Sequence, residues 1–377
     1  MRWLLPLVLV AASPAFGQET PSVRQIDPTT PFEDLRPPEL RGIEGMKVED
    51  LPLSVVPTPG ELARTDPSLV SEEVFGPRLP RDDAYGAFQR GFFLTALGLA
   101  LPRAEKNDAA AQTLIAEIYA KGLGIAENLP QAAGWYALAS RNGDRLATFE
   151  LAMLYQDGRG VPRNREKAAE LFKQAADLGH AGAKYNLGLL HVEGRYAEPS
   201  LAKAAALIKE AADAGLPEAQ YDYGIMLLEG AGVPPSVTGA AFEFGRAAEA
   251  GLVQAQIEYA TLLYLGRGVP QDREAAVRWY RQAAEAGSPV AQNRYAKLVA
   301  AGEGVTLDLE EAAMWRALAR RQGLTDPQLD HLLVSIHRDE LARAEERARF
   351  WPSSPPLATG AADLQPTIEP AATTQTP

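Results

Sequence analysis

Cysteine is absent from the 377-residue chain. Without cysteine the protein forms no disulfide, offers no thiolate to a metal and has no attachment residue for a lipoprotein anchor. Histidine is scarce as well. The four histidines are His180, His191, His331 and His337. Because none of them has the spacing of zinc ligands, we expect no bound metal and no cofactor.

Basic charge is also in short supply. The chain has 37 Lys and Arg against 49 Asp and Glu, a formal net charge of -12. This balance argues against nucleic acid as a partner, because nucleic acid attracts clustered Lys and Arg. Glycine pairs such as Gly158 and Gly160 lack the Lys-Ser or Lys-Thr of a phosphate-binding loop. No set of serine, histidine and acid is favoured by its spacing. We therefore expect no catalytic residues and no enzymatic activity.

A long apolar run is found near the N-terminus alone, where residues 1–17 resemble a secretory signal peptide. Arg2 is the basic start, residues 3–12 form the apolar run, and Ala15 and Gly17 are the small residues of a cleavage site. The run is shorter than the ~20 residues that cross a bilayer. We expect cleavage after Gly17, or else after Ala15; the alternative is an uncleaved membrane anchor. The mature protein should be periplasmic or secreted, with no transmembrane segment.

Proline marks the segments outside the regular part of the chain. Residues 18–80 are rich in proline and have no sustained apolar period, which predicts a disordered Pro-rich linker. Residues 351–377 are rich in Pro, Ala and Thr and predict a disordered tail. We expect both segments to act as spacers.

The most informative pattern is a fixed 36-residue interval between small residues. Two glycine columns and three alanine columns keep this interval over residues 108–323, which gives six tandem units without an insertion. The glycine columns begin at Gly122 and Gly143, and the alanine columns begin at Ala111, Ala132 and Ala139. A period of 20–50 residues is typical of solenoids. Solenoids present extended concave surfaces rather than reaction pockets.

Each unit has the pattern of two helices. In residues 144–179 an apolar helical period is followed by the turn sequence 158–162. A second helix begins near Arg165 and ends before Gly179, because glycine permits the left-handed conformation that closes a helix. The alanine columns allow the helices to approach one another closely.

Helices are also predicted on both sides of the repeats. Residues 81–107 have the pattern of a short helix pair, in which Asn107 replaces the helix-ending glycine. Residues 324–350 have the pattern of one charged helix. We expect this helix to cap the last repeat, because a solenoid must cover its exposed end.

Two stretches of the chain resemble one known repeat family. The first is Ala183-Lys184-Tyr185-Asn186-Leu187-Gly188 followed by Gly194, and the second runs from Gly266-Arg267-Gly268-Val269-Pro270 to Gly287. They resemble the Sel-1-like repeat, which is related to the tetratricopeptide repeat. Unit 180–215 departs from this pattern, because Tyr196 replaces its second glycine. The geometry of that turn is left open.

The resemblance implies an all-α fold, a right-handed superhelical solenoid of helical hairpins. It also implies protein binding, often as an adaptor in a larger assembly. Exported bacterial members are similar to factors that organise envelope complexes or polysaccharide export. Other exported members are linked to β-lactam binding or hydrolysis, but they are rich in disulfide-forming cysteines, which this chain lacks.

The resemblance further implies that the first helix of each repeat lines a concave groove. The residues expected to line it are Phe149, Met153, Asp157, Tyr185, Leu189, Glu193, Tyr221, Ile225, Glu229 and Ile257. Together they predict an apolar, aromatic strip with an acidic edge, a composition that suits an adaptable binding surface. The alternative is that the aromatic residues pack against the neighbouring repeat.

These observations favour an exported interaction scaffold. We expect it to bind a segment of a partner protein in the groove, within a bacterial envelope assembly. A cell-envelope glycan such as peptidoglycan is an alternative ligand, because aromatic rows can stack on sugar rings. Two further alternatives are a hydrolase of cell-wall material or β-lactams and a purely structural spacer.

Overall fold

The structure, a computed structural model, describes residues 82–353. Within that range the regular elements are sixteen α-helices and one short 3₁₀ turn. The predicted signal peptide 1–17 and the predicted linker 18–80 lie outside the described residues, as do residues 354–377 of the predicted tail. The all-α fold class predicted from the sequence is confirmed.

The first two helices form a short pair. α1 is Asp83–Gln89 and α2 is Phe93–Ala104. Gly91, with φ +80°, allows the chain to turn between them. Asn107 has φ +62°, the left-handed conformation that the sequence predicts for it.

Six helical hairpins follow, and every helix in them has 13 residues. The hairpins are α3 (Ala109–Lys121) with α4 (Leu129–Arg141), α5 (Arg145–Asp157) with α6 (Arg165–Asp177), α7 (Ala181–Glu193) with α8 (Leu201–Asp213), α9 (Pro217–Glu229) with α10 (Val237–Glu249), α11 (Val253–Leu265) with α12 (Arg273–Glu285), and α13 (Pro289–Ala301) with α14 (Leu309–Arg321). A left-handed glycine ends each first helix, as Gly122 does for α3. A polar side chain caps each second helix, as Asn128 does for α4.

The turn inside the second repeat leaves no room for a β-carbon at its second glycine. A β-carbon on Gly160, whose φ is +70°, would lie 2.5 Å from the backbone carbon of Leu129 in the preceding hairpin. Tyr196 occupies the equivalent position in the next repeat and keeps the left-handed conformation, with φ +62°. Its side chain remains 50% exposed. The departure from the repeat pattern therefore leaves the turn conformation unchanged, although a tyrosine is strained there.

The alanine columns form the seams between helices. All members of the three columns are at most 2% exposed. They are Ala111, Ala147, Ala183, Ala219, Ala255 and Ala291; Ala132, Ala168, Ala204, Ala240, Ala276 and Ala312; and Ala139, Ala175, Ala211, Ala247, Ala283 and Ala319. Because the side chain is one methyl group, neighbouring helices pack closely at these points.

The C-terminal segment differs from the single helix predicted for 324–350. The structure has α15 (Pro327–Leu332), a 3₁₀ turn (Leu333–Ser335) and α16 (Arg338–Phe350). The break arises because His337 and Glu340 form a capping box that starts a new helix.

α16 packs against α14. Arg343 Nη2 lies 2.7 Å from Glu310 Oε2 on that helix. Ala344 and Ala348 of α16 are at most 1% exposed. The segment therefore covers one face of the last repeat.

The chain divides into two compact units between Ala214 and Gly215. The described part of the first unit contains α1 to α8, and that of the second contains α9 to α16. Within each unit every helical hairpin packs against the next one, as the hairpins of a repeat solenoid do.

Candidate functional site

The predicted groove residues of the first unit lie on α5 and α7. Phe149 and Tyr185 occupy equivalent positions in the two helices, and all of the predicted apolar residues here, Met153 and Leu189 included, are half-buried. Asp157 and Glu193, which end the two helices, are exposed. We call the surface formed by these positions of the first helices the first-helix face. In this unit it is apolar along the helices and acidic at their ends.

Phe149 shows that this aromatic column also has a packing role. Its ring stacks on His180 with centroids 4.3 Å apart and lies 5.9 Å from Phe172. His180 in turn accepts a hydrogen bond at Nδ1 from the N–H of Ala183, which caps α7. Burial lowers the pKa of His180, and the nearby charge of Arg145 lowers it further. Phe149 therefore fills the seam between the second and third repeats.

The second unit repeats this arrangement on α9. Tyr221 and Ile225 are half-buried, and Glu229 at the helix end is exposed. The ring of Tyr221 lies 5.5 Å from that of Phe244. Burial raises the pKa of Tyr221 to about 12, helped by the charges of Glu258 and Asp222.

Ile257 is a weaker member of the predicted surface. On α11 it is 8% exposed and belongs to the hydrophobic core of the second unit. Its contribution is therefore mainly to packing, because little of its side chain is left for a ligand.

A polar cluster on the same face was not among the predicted site residues. Thr261 Oγ1 and the hydroxyl of Tyr280 lie 2.8 Å apart. Arg294 donates from Nη1 to Thr261 Oγ1 at 2.8 Å and to the Tyr280 hydroxyl at 3.4 Å. The sequence offered a signal for this cluster. Tyr280 carries a hydroxyl, whereas most residues at the equivalent position of the other repeats are apolar.

The first unit has an acidic version of this cluster. Glu117, Tyr136 and Glu150 occupy the positions that Thr261, Tyr280 and Arg294 occupy four repeats later. Tyr136 is 2% exposed. Burial raises its pKa, and the charges of Glu117 and Glu150 raise it further. We call these three residues of the first unit the acidic triad.

The face ends at the cap. Asn293 donates to Asp326 Oδ2 from Nδ2 at 2.6 Å, and Lys297 Nζ lies 2.6 Å from the same oxygen. Although burial opposes it, hydrogen bonds from Lys297 and Asn293 lower the pKa of Asp326 to about 2. In the last repeat, therefore, the first-helix positions Asn293 and Lys297 are already bound by Asp326 of the C-terminal segment.

Of metal-binding clusters, membrane-spanning helices and cavities, the described residues show a cavity. Residues 82–353 contain no group of three or more His, Cys, Asp and Glu side chains able to hold a metal. No helix in that range is long and apolar enough to cross a bilayer. A hollow of about 390 Å³ is lined by Ser140, Arg141, Gly143, Glu170, Lys173, Gln174, Asp177 and Leu178. Its one hydroxyl, that of Ser140, accepts a hydrogen bond from Thr148 Oγ1 at 2.9 Å.

The fold defines the class of this protein, a helical-repeat protein built from consecutive hairpins. The Sel1 repeat family model matches six consecutive segments, 109–144, 145–180, 181–216, 217–252, 253–288 and 289–324. Because these segments cover more than half of the chain, the protein belongs to the Sel1 repeat family. Sel1 repeats generally mediate protein–protein interaction, and the family is typically non-catalytic.

The solved structures that are similar to this chain include two with TM-scores above 0.5. One is c5321, a protective antigen of uropathogenic Escherichia coli strains with an SLR fold: TM-score 0.58, 25% identity, covering 67% of this chain and 56% of that one. The chain thus spans little more than half of the antigen's length. The other is a Sel1 repeat protein from Oxalobacter formigenes: TM-score 0.55, 27% identity, covering 63% of this chain and 98% of that one. Comparison with the curated proteins gives no match.

Proposed function

We propose that the protein is an exported interaction scaffold that binds a segment of a partner protein along its first-helix face. The observation that carries this proposal is the recurrence of that face in consecutive repeats. Met153 and Leu189 are half-buried at equivalent positions, and an exposed acid follows each of them at the helix end. A ladder of equivalent sites suits a linear segment better than a compact ligand.

Partial burial of these side chains leaves apolar area for a partner to cover. Apolar surface removed from water contributes roughly 25 cal/mol per Å² before the entropic costs of association are subtracted. The exposed acids at Asp157 and Glu193 add a preference for basic residues and faster association with them. A partner segment with apolar anchors and flanking Lys or Arg fits both features.

A protein segment is better supported than a glycan. Stacking on sugar needs a free aromatic face, but Phe149 is stacked on His180 and Tyr221 lies against Phe244. Binding of the purified protein to sedimented peptidoglycan tests this alternative directly. Sedimentation that is lost on Tyr185→Ala would favour the glycan.

Photo-crosslinking in intact cells tests the binding face. A photoreactive phenylalanine analogue at Tyr185 should crosslink to a specific partner, because this position lies on the first-helix face. The same analogue at Tyr196, an exposed tyrosine in the turn of the same repeat, is the matched control. Equal crosslinking from both positions, or none from Tyr185, would contradict the proposal.

We further propose that the scaffold works in the bacterial periplasm, within an envelope assembly. The support is the signal-like pattern of residues 1–17. Fractionation followed by N-terminal sequencing tests it, and a periplasmic protein beginning at Gln18 is the expected result. An unprocessed protein in the cytoplasmic fraction would rule the proposal out.

A further inference from the structure

Two positions of the repeat are either both apolar or both polar in any one repeat. One lies on the first helix and the other on the second helix of the same hairpin. The pairs are Glu117–Tyr136, Met153–Phe172, Leu189–Ile208, Ile225–Phe244, Thr261–Tyr280 and Lys297–Arg316. Apolar first-helix residues occur with apolar second-helix residues, and polar with polar. A tyrosine hydroxyl is present in two repeats, and in both of them the paired first-helix residue is polar.

The second unit shows where such a hydroxyl points. The Tyr280 hydroxyl lies within hydrogen-bond distance of Thr261 on α11 and of Arg294 on α13. The side chain of the second-helix tyrosine therefore extends to the first-helix face, and its hydroxyl lies between two neighbouring first helices. Tyr136 occupies the same repeat position on α4, which places its hydroxyl between Glu117 on α3 and Glu150 on α5.

The acidic triad is incompletely partnered. Lys121 Nζ forms an ion pair of 2.5 Å with Glu117 Oε2. Within residues 82–353, however, Glu150 has neither an ion pair nor a side-chain hydrogen bond. The Tyr136 hydroxyl likewise has no hydrogen-bond partner there, although the residue is 2% exposed. This contrasts with Tyr280, whose hydroxyl is satisfied.

Such an arrangement costs free energy in the unbound protein. Burial of a carboxylate that forms no ion pair disfavours its charged form. In agreement, burial raises the pKa of Glu150 and the charge of Glu117 raises it further, against the opposing charges of Lys121 and Arg159. A cationic ligand would relieve this cost, and the Tyr136 hydroxyl oxygen would be free to accept a hydrogen bond from it.

We propose that the acidic triad is the subsite for one Lys or Arg side chain of the partner segment. The inference rests on the proposed function and specifies the partner's chemistry. The cation donates hydrogen bonds to the Glu150 carboxylate and to the Tyr136 hydroxyl oxygen, while Glu117 adds a second negative charge. A divalent metal suits the site less well, because Ca²⁺ and Mg²⁺ need about six oxygen ligands and Lys121 already engages one carboxylate.

Selection from a library of short random peptides on the purified full-length chain tests the proposal. Wild-type protein should enrich peptides with Lys or Arg at one defined position beside apolar residues. Glu150→Gln should lose that positional preference while still enriching the apolar pattern. Tyr136→Phe, which keeps the ring and removes the hydroxyl, should weaken the preference. Glu170→Gln, an exposed acid on α6, should behave as wild type.

A double-mutant cycle on one selected peptide makes the test quantitative. Replacing its basic residue by norleucine should weaken binding roughly 10-fold, as expected for a charge-assisted hydrogen bond. The same replacement should change little on Glu150→Gln, since the partner charge has gone. Equal losses on both proteins would overturn the inference, and so would bound peptides without any basic preference.

The outcomes separate the two proposals. Failure of the wild-type protein to enrich any peptide would count against segment binding itself. Enrichment of purely apolar peptides would leave segment binding intact and refute the subsite alone. Saturable binding of Ca²⁺ that Glu150→Gln abolishes would identify the triad as a metal site instead, and would also refute it.

Discussion

Asn142 donates a hydrogen bond of 2.8 Å from Nδ2 to Oε1 of Gln112. Gln112 in turn donates from Nε2 to the carbonyl oxygen of Ala104 in the preceding helix at 2.9 Å. Gln292 makes the same two bonds, with Gln322 and with Ala284. In the first and last repeats, the buried glutamine at this position therefore links the preceding helix to the end of its own hairpin.

In the fifth repeat the equivalent glutamine lacks one of these two bonds. Gln256 bonds to Ala248, but its Oε1 has no partner within the described residues, because Ala286 stands where Asn142 stands in the first repeat. Ala286→Asn should add the missing donor and stabilise the protein by about 0.5–1.5 kcal/mol. Urea denaturation measures the change. The gain should disappear in a Gln256→Leu background. A gain of equal size there would show that the stabilisation does not come from a bond to Gln256.

The alanine seams should not tolerate a larger side chain. Ala204 on α8 is fully buried, so Ala204→Leu should overpack the seam and cost about 1–3 kcal/mol of unfolding free energy. Ala206→Leu on the same helix is the matched control, because Ala206 is exposed. Thermal denaturation by circular dichroism compares them. Equal melting temperatures would show that the seam is loosely packed.

Tyr196 is a strained residue whose replacement should stabilise the turn. A left-handed conformation costs a residue other than glycine roughly 1–2 kcal/mol. Tyr196→Gly should recover part of that amount, since the ring is half exposed and loses little packing. Gly160→Ala should be destabilising, because its β-carbon would collide with Leu129. Chemical denaturation should show a higher free energy of unfolding for Tyr196→Gly and a lower one for Gly160→Ala.

Glu150→Gln should raise stability at neutral pH. The folded-state pKa of Glu150 lies above its unfolded value, so the folded protein holds the proton more tightly. Its charged form is therefore destabilising, and stability falls as pH rises from the unfolded pKa through the folded one. Glutamine removes that loss, so the variant should melt at a higher temperature than wild type at pH 7. Melting curves of wild type and variant should converge below pH 4, where the carboxylate is protonated in both states.

The cap should depend on pH in the opposite direction. Arg316, 4% exposed, bonds to both carboxylate oxygens of Asp330, at 2.7 and 2.9 Å. The Arg316 bond lowers the pKa of Asp330, so its stabilisation is present above the unfolded pKa and lost as pH falls through the folded one. Asp330→Asn should cost about 1 kcal/mol at pH 7, allowing for screening of the exposed carboxylate. The difference should shrink in acid; a constant difference would contradict this account.

The repeat architecture could be read from the chain because it depends on neighbours in sequence. Gly122 ends a helix by its own conformational freedom, and Asn128 caps the next helix through a side chain three residues from its acceptor. The break between Ser335 and Arg338 also has a local cause, the capping box of His337 and Glu340. It was harder to foresee because histidine stands where such a box usually has serine or threonine.

The sequence by itself determined the helical hairpins, their 36-residue period and the burial of the alanine columns, since each follows from interactions within one repeat or between adjacent ones. It also placed Phe149 and Tyr185 on one face. The tertiary structure alone decided that Phe149 is stacked on His180 and that Tyr136 is buried close to the charges of Glu117 and Glu150. The reason is geometric: those three residues come from three helices, and no local periodicity records which side chains meet where the helices cross.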